Sequence, residues 1–187
     1  MVDTLLNYIN GSSVISIGVL ALLSVYFIIV FWIFLYRYFV LAENISSEKN
    51  NLNSLATSDI NLNPLSRIGQ CVSDRPVCKE FLNVCEVSLI REASVGISWL
   101  SIISSTAPFI GLFGTVVGIL ESFAKFSTAS KVSFAVIAPV ISEALVATAA
   151  GIFVAIFAYT FHQILTRKVY ILNTYLKSQI DIILSRN

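Results

Sequence analysis

The sequence predicts an all-α fold, that of a polytopic membrane protein with three transmembrane helices. Of the 187 residues, 56% are hydrophobic and only 12% are charged, whereas soluble domains carry about 25% charged residues. Residues 14–36, 93–120 and 132–166 are each long enough to cross the ~30 Å hydrocarbon core of a bilayer, and the only charged residue among them is Glu143. The net charge of +1 gives no reason to expect nucleic acid as a partner.

Residues 1–40 are predicted to form the N-terminus and the first transmembrane helix. As a helix, residues 14–36 would be about 34 Å long. The aromatic residues at the end of this stretch are typical of a membrane boundary, and Arg37 is the expected anchor in water. Residues 1–13 lack lysine and arginine, which indicates a retained helix rather than a signal peptide.

Residues 41–92 are predicted to form a cytoplasmic segment that contains an amphipathic helix. The tract at 44–64 is rich in serine and asparagine, which favours caps and turns over packed structure. The amphipathic helix is expected over residues 74–92, with Asp74 as its N-cap. Nothing in its sequence prevents this helix from running directly into the second span.

Residues 93–168 are predicted to form a transmembrane hairpin of helices two and three. Pro108 is expected to kink the second span. The third span, 132–166, is longer than the hydrocarbon core and therefore must tilt or project beyond it. Residues 169–187 continue as a C-terminal amphipathic helix, with apolar residues three or four positions apart at Val169, Leu172, Leu176, Ile180 and Ile183.

The twelve basic residues predict the orientation of the spans. Six lie between spans one and two, two lie between spans two and three, and four follow span three. Because lysine and arginine accumulate on the cytoplasmic side of membrane proteins, the N-terminus is expected outside and the C-terminus inside. The long helices would then extend into the cytoplasm.

Glu143 is the residue that most strongly indicates function. A charged side chain near the centre of a bilayer costs about 2.5–3.5 kcal/mol on insertion scales, so such residues usually face a bundle interior or a wet cavity. Ala147, Ala150 and Val154 share its stripe on the helix. The alternative is that Glu143 lies near enough to the outer interface to reach water.

The second span has a glycine face and a separate face that carries a hydroxyl. Gly111, Gly114 and Gly118 lie together and predict close helix packing, and Gly151 adds a small residue on the third span. Thr106 lies about a quarter-turn away and is a candidate to line a pore. Its hydroxyl could equally bond to a carbonyl one turn earlier, and the same alternative holds for Thr148.

Other reactive side chains are given no role by the sequence. His162 is a single histidine near the end of the third span, and Cys71, Cys78 and Cys85 lack the spacing of a metal or redox site and are expected to stay reduced. Phosphate-binding loops and nucleophile motifs are absent from the sequence. We therefore expect neither an enzyme nor a bound cofactor.

The hairpin resembles the ExbB/TolQ family of proton channels, of which the flagellar stator protein MotA is a more distant relative. The resemblance rests on STAPFIGLFGTVVGI at 105–119 and APVISEALVATAAGIFVAI at 138–156. It covers about 80 residues strongly. The family usually has tryptophan at the position of Val117 and often proline at that of Phe157, so the third helix is expected to be straighter here.

The resemblance implies a homo-oligomer, typically a pentamer, in the bacterial inner membrane. It implies an ExbD/TolR-like single-span partner with an aspartate in its helix, and a TonB/TolA-like protein that receives the force. Protons would be the coupling ion, and Thr106, Glu143 and Thr148 would line their pathway. On a straight helix, however, Glu143 and Thr148 point about 140° apart. A membrane scaffold that does not conduct ions is the alternative function.

Overall fold

The computed structural model describes residues 14–57, 67–68, 78–126 and 134–186. The four long helices in these ranges are α1 (Val14–Thr57), α2 (Lys79–Ser94), α3 (Ile97–Phe126) and α4 (Phe134–Arg186). The described ranges contain no strand, and three helices hold apolar segments long enough to cross a membrane, at Ser16–Ser54, Ile97–Ala124 and Ile137–Ser185. The all-α class and the three spans are thus confirmed, while their orientation stays a prediction.

Helix α1 continues well beyond the first span, and the expectation of caps and turns is wrong for residues 44–57. The reason is tertiary packing, because Glu48 is completely buried and Asn51 is 7% exposed. These contacts override the weak helix propensities of serine and asparagine. Residues 58–64 of the same tract lie outside the described residues.

Helix α2 confirms the predicted amphipathic helix but begins at Lys79; Asp74, the expected N-cap, lies outside the described residues. The helix buries Leu82, Cys85 and Ala93. It does not run into α3, because Val95 and Gly96 form a turn between them. Gly96 has a φ of +84°, a left-handed backbone that glycine adopts without steric cost.

The two described cysteines differ in chemical state. Cys78 is an exposed free thiol. Cys85 is 2% exposed and disulfide-bonded, so the expectation that the thiols stay reduced is wrong at this position. Cys71 lies outside the described residues.

The chain divides into two compact units, which we call unit one (Met1–Trp32 with Trp99–Thr160) and unit two (Ile33–Ser98 with Phe161–Asn187). The described core of unit one is made mainly of small or β-branched residues. They are Val19, Leu23, Val30, Leu100, Ile103, Ala107, Ala144, Ala147, Val154, Ala155 and Ala158. Many of its large apolar side chains face outward, as at Ile28 (66% exposed), Phe109 (70%) and Leu120 (63%). Such a surface suits lipid or other membrane helices.

Unit two has a core of larger aliphatic side chains. It includes Leu41, Ile68, Leu82, Leu165, Leu172, Leu176 and Ile180. The burial of Leu172, Leu176 and Ile180 confirms most of the predicted apolar face of residues 169–187. Phe34 of α1 stacks on Phe161 of α4, with ring centroids 3.9 Å apart.

A buried polar network joins three helices within unit two. The Glu48 carboxylate accepts hydrogen bonds from the backbone N–H of Arg67 (3.1 Å) and from the side-chain amide of Gln179 (3.0 Å). The same amide donates to the backbone oxygen of Glu48 at 2.9 Å. The Arg67 guanidinium lies 3.4 Å from the carboxylate of Glu92 on α2. Glu48 therefore links α1 and α4, and through Arg67 also α2.

Replacing Glu48 by alanine is expected to lower the free energy of unfolding by about 1–3 kcal/mol, since it leaves buried donors without an acceptor. The measurement is thermal unfolding of the purified protein in detergent. The matched control is Lys49→Ala, at an exposed neighbouring position, for which we expect a change within about 0.5 kcal/mol. Equal melting of the two variants would contradict the proposed importance of the network.

Candidate functional site

The centre of unit one is a seam in which α3 and α4 approach with their backbones in contact. A Cβ atom added at Gly111 would lie 2.7 Å from the backbone oxygen of Ala147 and 3.0 Å from the Cα of Thr148. A Cβ atom added at Gly151 would lie 2.6 Å from the backbone oxygen of Ala107. Real Cβ atoms do not approach so closely, so only glycine fits at these two positions.

The other two glycines of the predicted packing face lie where α1 joins the seam. A Cβ atom at Gly114 would lie 2.9 Å from Val19 of α1 and 3.3 Å from Ala147 of α4. At Gly118 it would make ordinary contacts, 3.4 Å from Ser16 and 3.7 Å from Ala144. The need for glycine is therefore strict at Gly111 and Gly151, weaker at Gly114 and weakest at Gly118.

A pair of threonine hydroxyls crosses the seam between α3 and α4. The Oγ1 atoms of Thr115 and Thr148 form a hydrogen bond. Thr115 Oγ1 is also 3.1 Å from the backbone oxygen of Gly111 and 3.4 Å from that of Ala144, and Thr148 Oγ1 is 3.3 Å from the oxygen of Gly111. Thr148 is thus placed at the helix contact, as its angle from Glu143 suggested.

Thr115 was not singled out from the sequence, although a signal for it exists. It follows Gly111 by four residues and so lies on the glycine face that packs against α4. A hydroxyl on a packing face in an apolar environment needs a hydrogen-bond partner, and small polar residues often supply one across membrane helices. The spacing therefore indicates a cross-helix contact for Thr115.

Replacing Thr115 by valine keeps its shape and removes its hydroxyl, and we expect a loss of about 1 kcal/mol of stability. If Thr148 serves only this contact, Thr148→Val should have the same effect and Thr148→Ser should have little. The check is the thermal midpoint of each variant in detergent, measured together with its transport activity in vesicles. A variant at Thr148 that melts normally but loses activity would show a role beyond the seam.

Glu143 lies on α4 one turn before Ala147, beside the seam. The residue is partly exposed, while its Oε1 atom is shielded from solvent. Its neighbour Ala144 packs 3.7 Å from the Cβ position of Gly118. Two residues that share the helix face of Glu143, Ala147 and Val154, are buried, with exposed fractions of 1% and 3%. The carboxylate therefore lies at the edge of a closely packed hairpin.

Thr106 lies on a different surface of α3. It borders a groove of about 620 Å³ between α1 and α3, whose other lining residues are Gly18, Val19, Leu22, Phe109, Ile110 and Phe113. Its hydroxyl donates to the backbone oxygen of Ile102 at 2.8 Å, the alternative that the sequence left open. In the described part of the chain no hydrogen bond joins Thr106 to Glu143 or Thr148, so within one subunit the three predicted residues occupy separate surroundings.

Phe157 occupies a position where the resemblance favours proline. Its ring packs edge-on against Phe27 of α1, with centroids 5.7 Å apart, and Phe153 lies 4.8 Å from Phe157. Helix α4 is continuous through this position. An aromatic contact with the first span thus stands in place of a helix-breaking residue.

The fold and the site define a class, that of all-helical multi-pass membrane proteins with an ionisable residue in a glycine-packed hairpin. Residues 55–178 match the MotA/TolQ/ExbB proton channel family. A Helicobacter pylori biopolymer transport protein described as ExbB-like 1 is 40% identical over the full length of both chains. ExbB of Pseudomonas putida is 46% identical over a stretch that covers 42% of this chain and 24% of the ExbB chain. TolQ of Pseudomonas aeruginosa is 44% identical over a stretch that covers 37% of this chain and 32% of the TolQ chain.

The chain therefore belongs to the MotA/TolQ/ExbB proton channel family, a family of channels rather than enzymes. The stretch shared with the ExbB and TolQ relatives is shorter than that shared with the Helicobacter protein, which aligns from end to end.

Proposed function

We propose that this protein is a proton-conducting subunit of a biopolymer-transport motor in the bacterial inner membrane. It would couple the proton motive force to transport across the outer membrane, as in an ExbB–ExbD–TonB system, or to outer-membrane maintenance, as in a TolQ–TolR–TolA system. The observation that carries the proposal is Glu143, a carboxylate with a shielded oxygen in a span of 35 residues that has no other charge. The proton is the coupling ion, and no cofactor is required.

The proposed pathway passes Thr106, Thr148 and Glu143 at different depths. The residue after Thr106 lies opposite Gly151, Gly111 lies opposite Thr148, and Gly118 lies opposite Ala144. Thr106 and Glu143 are thus separated by about eight residues of α4, or about 12 Å along the helix axis. Water would have to carry protons between groups so far apart, because direct hydrogen bonds cannot span that distance.

The proposed active form is a homo-oligomer, typically a pentamer in this family, with an ExbD/TolR-like single-span protein inside it. The partner's membrane aspartate would exchange protons beside Glu143, and a TonB/TolA-like protein would receive the force. The outward-facing apolar side chains of unit one support this arrangement, because they offer surface for neighbouring subunits as well as lipid. The distribution of lysine and arginine supports an orientation with the N-terminus outside and the C-terminus in the cytoplasm.

Co-purification tests the proposed assembly. The full chain, tagged and expressed in its own host, is expected to isolate as an oligomer with a single-span protein that carries an aspartate in its span. Glu143→Gln is expected to retain the partner, since it preserves size and hydrogen bonding. Isolation of the folded chain as a monomer without any such partner would overturn the proposal.

A non-conducting scaffold is the second candidate function. The observation in its favour is that the hydroxyls of Thr106 and Thr148 already bond within the helices, to Ile102 and to the Thr115–Gly111 contact. In that case Glu143 would hold a partner by a hydrogen bond or ion pair without passing protons. Proton flux through the wild-type protein, compared with that of Glu143→Gln and of protein-free vesicles, separates the two candidates.

A further inference from the structure

Three cations in unit two lie at the ends of the uncharged stretches. The guanidinium Nε of Arg37 is 3.5 Å from the Cβ position of Gly96, which immediately precedes α3. The ammonium group of Lys168 is 4.0 Å from the ring centre of Tyr38, the residue after Arg37. These contacts bring the ends of all three spans to one level, and Arg167 is adjacent to Lys168 on α4.

Each of these cations is placed over a tyrosine ring. Besides the contact of Lys168 with Tyr38, Arg37 lies 5.8 Å from the ring centre of Tyr36 and Arg167 lies 5.5 Å from that of Tyr170. Tyr36 and Tyr170 are 61% and 62% exposed. A ring attracts and orients a cation but does not neutralise its charge. Each pair therefore presents a positive charge beside a phenolic hydroxyl, at the level where the apolar stretches end.

These three cations are not in ion pairs in the part of the chain that the structure describes. By contrast, Arg67 lies 3.4 Å from the carboxylate of Glu92, and Lys177 lies 3.8 Å from that of Glu86. Both of these paired cations lie away from the boundary, among the polar contacts of unit two. The positive charge at the span ends is therefore not compensated by an ion pair with any residue that the structure describes.

We propose that Arg37, Arg167 and Lys168 bind the phosphates of anionic phospholipids in the adjoining leaflet. The argument is charge complementarity at a fixed depth, because headgroup phosphates lie where a span leaves the hydrocarbon and anionic lipids attract nearby lysine and arginine. Guanidinium and ammonium groups both bind phosphate oxygens, and an exposed tyrosine hydroxyl supplies a further donor. The inference does not depend on proton conduction.

The test uses the full-length protein in detergent, titrated with phosphatidylglycerol, which is anionic, or with phosphatidylcholine, which is zwitterionic. Native mass spectrometry counts bound lipids, and thermal unfolding measures the stabilisation. We expect a preference for phosphatidylglycerol that weakens with added salt and falls by about fivefold for each of Arg37→Gln, Arg167→Gln and Lys168→Gln. Lys49→Gln, about 18 Å further along α1 than Arg37, should keep the preference, as should Arg37→Lys.

Several outcomes would overturn the assignment. One is an equal response of the wild-type protein to both lipids, and another is an unchanged preference in the triple variant. A third is equal stabilisation by inorganic phosphate, which would show a site for the free anion. If the triple variant changes the size of the oligomer but not its lipid preference, the cations instead pair with carboxylates of a second copy. If the triple variant does not fold, the three single variants and the Lys49→Gln control decide the question, because each single variant is expected to lose the preference by itself.

Discussion

Replacing Glu143 by glutamine is expected to reduce proton flux to the leak of protein-free vesicles while the protein remains folded and assembled. Glutamine matches the size of glutamate and can still hydrogen-bond, but it cannot release and rebind a proton. Glu143 is the only charged residue in the third predicted span, residues 132–166, and its Oε1 atom is shielded from solvent. Because nothing nearby in that span can replace its titration, the predicted loss is large.

The measurement is the response of a pH-sensitive dye in vesicles that contain the protein with its co-expressed partner. The control is Ser142→Ala, at the exposed adjacent position, which should conduct like the wild type. Glu143→Asp keeps a titratable group on a shorter side chain and should retain part of the flux. If Glu143→Gln conducts like the wild type, the proton pathway does not depend on Glu143. If the wild type itself conducts no more than protein-free vesicles and Glu143→Gln still supports uptake or envelope integrity, the scaffold function is correct.

Replacing Gly151 by alanine is expected to disrupt the hairpin, even though alanine is the better helix former by about 1 kcal/mol. The added Cβ would lie 2.6 Å from the backbone oxygen of Ala107 and 3.0 Å from the Cα of Gly111. Backbone atoms cannot rotate away as a side chain can, so the helices must separate. Overpacking of this kind typically costs about 1–3 kcal/mol.

Gly118→Ala is the matched control, because its added Cβ would make only ordinary contacts, 3.4 Å from Ser16 and 3.7 Å from Ala144. We expect it to melt at or above the wild-type temperature. Gly111→Ala should behave like Gly151→Ala, and Gly114→Leu should also impair assembly, since Val19 already lies 2.9 Å from the Cβ position. Recovery of a normal oligomer from Gly151→Ala on native electrophoresis would show that the seam is less closely packed than described.

The membrane fold could be predicted from the sequence because a helix that crosses the hydrocarbon core must be long and almost free of charged residues. The three spans follow directly from this requirement. The extension of α1 through residues 44–57 did not follow, because serine and asparagine favour turns by local chemistry. Their helical state depends on Glu48 meeting Gln179, 131 positions away, a contact that no local pattern shows.

The candidate site was predictable to a similar degree. Glycine spacing identified the face of α3 that packs, because helical period alone decides which residues share a face. It did not reveal that Gly111 and Gly151 touch each other directly, since that depends on the register of two helices joined by a loop. Thr148 was assigned by resemblance, whereas its bond to Thr115 requires knowledge of both helices at once.

The α3–α4 seam also limits how this protein can move. Backbone meets backbone at Gly111 and at Gly151, and the Thr115–Thr148 bond lies at the same contact. Sliding one helix past the other by a turn, about 5.4 Å, would bring bulkier side chains into gaps that admit only glycine and would break the hydroxyl bond. Helices α3 and α4 should therefore move together as one rigid body. Any conformational change should occur at the contacts of this hairpin with other chains.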